Sequence, residues 1–410
     1  MVYGLLAKRL DKTFLTAPMV FLGLGVVLEQ AGLVSRDRAH ALLDPIAEVA
    51  LIVLLFLDAA QTDLKALRQQ NVWPARMLLV GLPLAIVIGT FVAWTIMPGM
   101  GLALAALAAA ILSPTDAALG QAVVTNPDVP ERSRRALTVE SGMNDGLALP
   151  IILMLASVAA MEMSHSPGEW LVFGIKQISF GILAGIGLGT LGGLALLKAK
   201  DLDTTSDTTE GIAALALAGG TYLISSMIGG NGFIAAFVSG LCFGHVVGGR
   251  CKFVFEFTES EGQILAWLAF LLIGGALVPH AVANLTWPML ALILLSLFVV
   301  RPLAIWLSLM GTDAKPISKL FFGWFGPRGL ATALFALIVL EELPPEVGES
   351  VLSMAVNAVW ISALLHGATA GIGGRWYGRK MAQIEASDEQ PQERRQEQPQ
   401  EQTETTALNS

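Results

Sequence analysis

Charge is scarce in this sequence: Asp, Glu, Lys and Arg make up 14% of its 410 residues, against 54% hydrophobic. A soluble globular chain carries about 25% charge, so the shortage excludes an ordinary soluble domain and points to a polytopic membrane protein. Cysteine is nearly absent too. Cys242 and Cys251 permit at most one disulfide and stand in no metal-ligand spacing with histidine, which excludes a disulfide scaffold and leaves two free thiols. The N-terminal MVYGLLAKRLDKTFLTAPMV lacks a cleavable-signal pattern, because basic residues interrupt its apolar core and no small-x-small site follows. No filter-like Gly-Tyr-Gly run is present, which argues against a cation channel. Ser141 has no intramembrane His or Lys suited to activate it, and Asp58 and Asp145 lie outside paired-aspartate motifs, which argues against an intramembrane hydrolase. No cofactor and no nucleic-acid partner is expected.

What the sequence has in abundance is long apolar runs. About 20 apolar residues span the hydrocarbon as a helix. Twelve candidate spans follow, roughly 15–33, 45–61, 74–97, 101–124, 134–161, 170–197, 211–228, 232–248, 262–279, 286–309, 319–340 and 350–373. With the N-terminus inside, alternate loops hold Lys8, Arg9 and Lys12, then Lys65, Arg68 and Arg76, then Arg132, Arg134 and Arg135. Further inner segments carry Lys198 and Lys200, Arg250 and Lys252, Lys315 and Lys319, and Arg375, Arg379 and Lys380. The outer loops hold only Arg36 and Arg38, an asymmetry that predicts both termini in the cytoplasm. Residues 1–14 read as a cytoplasmic N-terminus or the remnant of a further span, and 15–375 as the membrane domain. The segment 376–410, Glu/Gln-rich and from Glu385 onward the source of much of the net charge of −8, reads as a disordered cytoplasmic tail.

An internal repeat emerges at a spacing of 213–214 residues. Pro74 and Pro288, and Phe56 and Phe270, differ by 214; Pro114 and Pro327, and Asn144 and Asn357, differ by 213. The offset covers seven spans, so two copies, about 15–161 and 232–373, would lie inverted in the membrane, a transporter architecture with its site at mid-membrane. Each copy has one interrupted span. One breaks at Ser113-Pro114-Thr115-Asp116 and the other at Gly326-Pro327-Arg328-Gly329. Unwound backbone survives there only if buried or lining a cavity. Asp116 is placed to accept from an exposed helix start, and Arg328 to offset exposed carbonyl ends.

The stretch TVESGMNDGLALP (138–150) carries polar groups into an apolar span, where one ionised carboxylate costs roughly 2.5–3.5 kcal/mol. Ser141 and Asp145 share one helix face, Glu140 and Asn144 the next. Ser141, Asp145 and carbonyls freed near Thr115 would offer oxygen ligands to a small cation. Asp58 is a further oxygen ligand, or else a carboxylate near its span's cytoplasmic end bonded to Thr62 or water. Glu140 needs a buried cation, and Arg328 is the expected partner, because its broken span is the inverted counterpart of the Asp116 span. Arg301 would serve Asp58 or a freed carbonyl. Lys176 lies near enough to a span's outer end to snorkel. The second copy reads Asn357-Ala358 where the first reads Asn144-Asp145. A single ionisable ligand must hold a proton or a monovalent cation, and their competition is sufficient for one-for-one exchange.

SPTDAALG (113–120), ESGMNDG (140–146), NGFIAAFVSGLCFG (231–244), RPLAIW (301–306) and FFGWFGPRGLATALFAL (321–337) resemble the monovalent cation/proton antiporters, specifically the bacterial-type sodium/proton exchanger branch. The resemblance implies an all-α polytopic fold of about 12 transmembrane helices, with inverted repeats and two crossing discontinuous helices. It implies exchange of Na⁺ first, K⁺ or Li⁺ otherwise, for H⁺, and a cation site around Asp145, Ser141 and Thr115. Asp116 and Asn144 would support the crossing, and Glu140 would pair with Arg328. A homodimer in the lipid of the plasma (bacterial inner) membrane is implied, with core domains moving against a scaffold and a role in pH homeostasis. Asn-Asp rather than Asp-Asp goes with electroneutral exchange. Two features depart from the pattern: proline precedes the Thr-Asp of the first break, and relatives often have one more N-terminal span. The runner-up is a sodium-coupled organic-anion symporter of related fold.

Overall fold

The computed structural model describes residues 15–62, 72–164, 169–340 and 342–407. The expected N-terminal segment 1–14, and Lys65 and Arg68, lie outside the described residues. Among those residues every regular element is helical, as apolar surroundings require, because each backbone N–H and C=O must be satisfied within its own segment. In chain order the helices are α1 (Ala17–Gln30), α2 (Arg36–Ala60), α3 (Val72–Ile96), α4 (Leu102–Ile111), α5 (Ala117–Val124), α6 (Glu131–Ser164), α7 (Glu169–Asp201) and α8 (Asp207–Met227). There follow α9 (Gly232–Val247), α10 (Lys252–Ala276), α11 (Val278–Ala283), α12 (Trp287–Ser308), α13 (Pro316–Trp324), α14 (Leu330–Leu340) and α15 (Pro345–Ala407). Six of them, α2, α3, α6, α7, α12 and α15, are long and apolar enough to cross a membrane. Others are apolar but shorter, two of the expected spans being split at their breaks, so length alone does not reproduce the twelve.

Two bundles result. In the first, α1 and α2 pack with α7, α8, α9 and α10; in the second, α3–α6 pack with α12–α15, and α11 joins the second by lying on α15. The first is closed by small residues. Gly181, Gly185 and Gly189 form a stripe on α7 that meets the α9 carbonyls of Asn231, Ala235 and Ser239, where a Cβ would have no room. On its other side α9 brings Gly240 and Gly244 against the carbonyls of Phe56 and Ala60 in α2. In the second bundle the buried Tyr377 hydroxyl lies 2.8 Å from both Ser133 and Ser318, tying α15 to α6 and α13.

Helices α3 and α12 each contain one π-helical turn, Met77–Gly81 and Ser296–Val300. Each turn runs directly into Xaa-Pro-Leu-Ala-Ile, at 82–86 and 301–305, an offset of 219 residues rather than the 214 that separates Pro74 from Pro288. Pro83 and Pro302 lack an N–H and crowd the carbonyl four residues earlier, and the wider turn makes the space.

Helix α15 continues to Ala407, so among the described residues the backbone of 376–407 is helical, in a segment whose composition predicts disorder. Glu, Gln, Arg and Ala are good helix formers, whereas Pro391 and Pro399 each oppose a helix interior by about 3 kcal/mol.

Between α14 and α15, burial pushes the Glu342 carboxyl from its ordinary 4.5 up to about 7, and its Oε2 has no hydrogen-bond partner. The folded value exceeds the unfolded one, so the folded state holds this proton more tightly. The stability it contributes is complete below pH 4.5 and is lost as pH rises towards about 7. Glu342→Gln is therefore expected to stabilise the protein at pH 8 by on the order of 2 kcal/mol and to flatten the stability profile across that window, read from unfolding curves at each pH.

Candidate functional site

The two interrupted spans meet at their breaks. The Asp116 N–H donates to the Pro327 carbonyl at 2.9 Å. The Asp116 carboxylate accepts the N–H of Leu330 at 2.7 Å and that of Leu119 at 3.4 Å, so one side chain sits at the starts of both α14 and α5. A negative charge suits both positions, since each helix start presents unpaired N–H groups and the positive end of its dipole. In the opposite direction, the fully buried Arg328 donates to the carbonyls of Ser113 at 2.8 Å and Pro114 at 3.1 Å, and to the Ser296 hydroxyl at 3.3 Å. Each break thus supplies a charged side chain to the other.

Glycine is required at two points of this crossing. A Cβ on Gly329 would fall inside the Asp116 carboxylate, and one on Gly326 inside the Arg301 guanidinium. Gly329→Ala is expected to destabilise the protein by about 2–3 kcal/mol, since the caps at the crossing must shift. Gly120→Ala, in α5 with nothing within 4 Å of the added methyl, should be neutral or slightly stabilising in the same thermal-unfolding comparison.

The expected Glu140–Arg328 pair does not form. Glu140 pairs with Arg301 instead, Oε1 with Nη1 and Oε2 with Nη2, both at 3.0 Å and both residues buried. Arg301 follows directly on the π-helical turn, and that extra backbone residue turns its side chain towards α6. Arg328 is occupied by the freed carbonyls. Arg301 also reaches one main-chain carbonyl, that of Phe322, at 3.4 Å.

Around Glu140 lies a hydroxyl–amide cluster. Thr115 Oγ1 is 3.3 Å from both Glu140 Oε2 and Ser141 Oγ, and it accepts a hydrogen bond from the Asn144 amide. The Asn144 carbonyl oxygen is left buried without a partner, and so is Oδ1 of Asp145. A buried acceptor without a donor is costly, about 1–3 kcal/mol and more for a charged group. These two acceptors lie on neighbouring residues of α6.

Asp145 also lines a cavity of about 330 Å³ shared with Asp58 and Asp116. The exposed Gln61, Gln121, Thr125 and Thr138 lie at its open end, while the wall is formed by α2 and α10 of the first bundle and α6 and α14 of the second. Asp58 packs beside Gly142 of α6, so it faces the Asp145 helix. The Thr62 hydroxyl donates to the Asp58 main-chain carbonyl at 2.9 Å. The expected site residues therefore fall into two layers: Asp58, Asp116 and Asp145 on the cavity wall, and Thr115, Ser141, Asn144 and Glu140 behind it.

Arg301 as the partner of Glu140, and Ser362 and His366 beside the second break, are not singled out by sequence reasoning. The signal for the last two is the four-residue spacing of a serine and a histidine in the otherwise apolar AVWISALLHGA.

The family described as sodium/hydrogen exchanger, transmembrane, matches residues 1–373. Among curated relatives, a K(+)/H(+) antiporter NhaP2 of Shewanella sp. (strain ANA-3) is 27% identical over 366 residues, covering 86% of this chain and 61% of its own. A Na(+)/H(+) antiporter ApNhaP of Aphanothece halophytica is 27% identical over 374 residues, covering 86% and 68%. This chain thus spans less than two thirds of the length of the Shewanella relative. The structure of the sodium proton antiporter MjNhaP1 from Methanocaldococcus jannaschii at pH 8 superposes with a TM-score of 0.74 at 20% identity, covering 91% of this chain and 95% of that one, which establishes the fold.

Proposed function

The chain belongs to the sodium/hydrogen exchanger family, and from that premise we propose that it exchanges a monovalent cation for a proton across the plasma membrane, one for one, by alternating access. The observation that carries this reading is Asp145: a carboxylate with a buried, partnerless oxygen on the wall of a cavity that opens to one end of the molecule. Asp145 holds either the proton or the cation. Releasing one is the condition for taking the other, and the net charge carried across per cycle is zero.

The remaining side chains prepare that site. Asp58 and Asp116, on the same cavity wall, add negative potential that draws a cation inward. The hydroxyls of Ser141 and Thr115 offer further oxygen ligands to a hard monovalent cation. Asn144 fixes the Thr115 hydroxyl through its amide and offers its carbonyl oxygen. Glu140 and Arg301 neutralise each other and so keep a second carboxylate from competing for cargo. Sodium is the expected cation; the relatives are named for potassium and for sodium. Both termini are assigned to the cytoplasm, which makes the cavity inward-facing, and two copies are expected to associate through the first bundle.

Purified protein in liposomes with an imposed acid gradient tests this. Addition of Na⁺, K⁺ or Li⁺ should collapse the gradient for at least one ion, with the same rate when the membrane potential is clamped. No collapse with any of the three, or a rate that follows the potential, would refute electroneutral exchange.

A further inference from the structure

The second break is closed by side chains that the exchange reading does not use. His366 lies on α15, buried, with its Nε2 2.8 Å from the Trp324 carbonyl at the end of α13 and its ring stacked on Trp324 at 4.9 Å. A carbonyl oxygen only accepts, so Nε2 must carry a hydrogen. Nδ1 faces the Ser362 hydroxyl at 3.1 Å and the Ser362 carbonyl at 2.9 Å. The Ser362 hydroxyl in turn accepts the main-chain N–H of Arg328 at 2.7 Å.

The Ser362 carbonyl also only accepts, so it competes with the Ser362 hydroxyl for Nδ1, and the bond the line requires is the one from Nε2–H to the Trp324 carbonyl. With Nδ1 bare, the Ser362 hydroxyl gives its hydrogen to Nδ1 and offers its lone pairs to the Arg328 N–H. The relay then reads Arg328 N–H to Ser362 Oγ–H to His366 Nδ1, and His366 Nε2–H to the Trp324 carbonyl. It spans the break from the last carbonyl of α13 to the N–H that precedes α14. An imidazolium would instead point Nδ1–H at the Ser362 carbonyl, leave the Ser362 hydrogen without this acceptor, and put a third buried cation near Arg328 and Arg301.

We propose that His366 and Ser362 are positioning residues, a hydrogen-bonded splint across the second break that fixes where Arg328 meets the first. The consequence runs through Arg328. Its guanidinium reaches the Ser113 and Pro114 carbonyls only while its own backbone is held, and Thr115 follows those carbonyls directly. The splint therefore sets the oxygen positions of the cation site at a distance, without touching the cation. This inference rests on the exchange reading for its effect on transport, but the splint itself is tested without transport.

Nitrogen-15 NMR of histidine in the full chain reads the tautomer directly. A variant with His40, His165, His245 and His280 replaced leaves His366 as the single signal. The expected result is a protonated Nε2 at both pH 6 and pH 8. A bare Nε2, which could not donate to the Trp324 carbonyl, would overturn the proposal. In the liposome assay, Ser362→Ala should raise the half-saturating cation concentration at least tenfold while the maximal rate stays within about twofold, and Ser362→Thr, which keeps the hydroxyl, should recover most of the affinity. Wild-type half-saturation in Ser362→Ala would overturn the positioning role. An inactive wild type would sink the exchange reading instead, with the NMR result still deciding the splint.

Discussion

Asp145→Asn is expected to reduce cation-driven proton movement to the level of protein-free liposomes. Asparagine keeps the size and one oxygen of aspartate but can hold neither a titratable proton nor a negative charge, so both halves of the cycle fail together. Asp58→Asn removes a neighbouring charge from the same cavity and not the shared ligand. It should weaken cation affinity roughly tenfold, about 1.4 kcal/mol, and leave exchange running. In the wild type, competition for one carboxylate sets a further signature. Where the proton-bound form predominates, the half-saturating cation concentration should rise about tenfold for each unit that pH falls, as mass action requires for one proton displaced per cation. Measured exchange in Asp145→Asn above the protein-free level would remove Asp145 from the centre of the mechanism.

The second large effect concerns the buried ion pair. Glu140→Ala or Arg301→Ala alone leaves an uncompensated charge inside the second bundle and should cost about 3–5 kcal/mol of stability. Replacing both by apolar residues of similar volume should recover most of that loss, because the desolvation penalty disappears with the pair. A double-mutant cycle separates this pairing from the expected one. Glu140 and Arg301 should show strong coupling, whereas the coupling of Glu140 and Arg328, which share no direct hydrogen bond, should be clearly weaker. Strong coupling between Glu140 and Arg328, with additivity between Glu140 and Arg301, would reverse the assignment given by the 3.0 Å contacts.

Much of this architecture is legible in the sequence because membrane spans leave few alternatives. Apolar runs must be helices, proline and glycine must break them, and the rare charges beside the breaks must face one another. Asp116 at the helix starts and Arg328 at the freed carbonyls follow from that reasoning alone. The partner of Glu140 does not. Counting residues around an ideal helix fails for Arg301, because the π-helical turn Ser296–Val300 inserts one residue before it and changes the face it presents. Repeat symmetry misleads for the same reason: the position of Arg301 matches Leu82 in the first copy, not a charged residue. Nor can spacing alone separate the carboxylates that reach the cavity from the hydroxyls behind them, since Ser141 and Asp145 share a helix face and differ by one turn of depth.

The reciprocal bonds between the two breaks also govern how such a carrier can go wrong. Asp116 serves both helix starts, and Arg328 crosses from one break to carbonyls of the other, so neither half of the site has an independent existence. On the proposed exchange reading, loss of Asp116 or Arg328 would dismantle the receptacle for cargo and for proton at the same moment. Uncoupled leakage needs one ligand to keep cycling after the other has lost its place, and this construction leaves no such remnant. A faulty copy would therefore register in a flux experiment as silence, sparing the cell the collapse of the gradient that a slipping exchanger would cause.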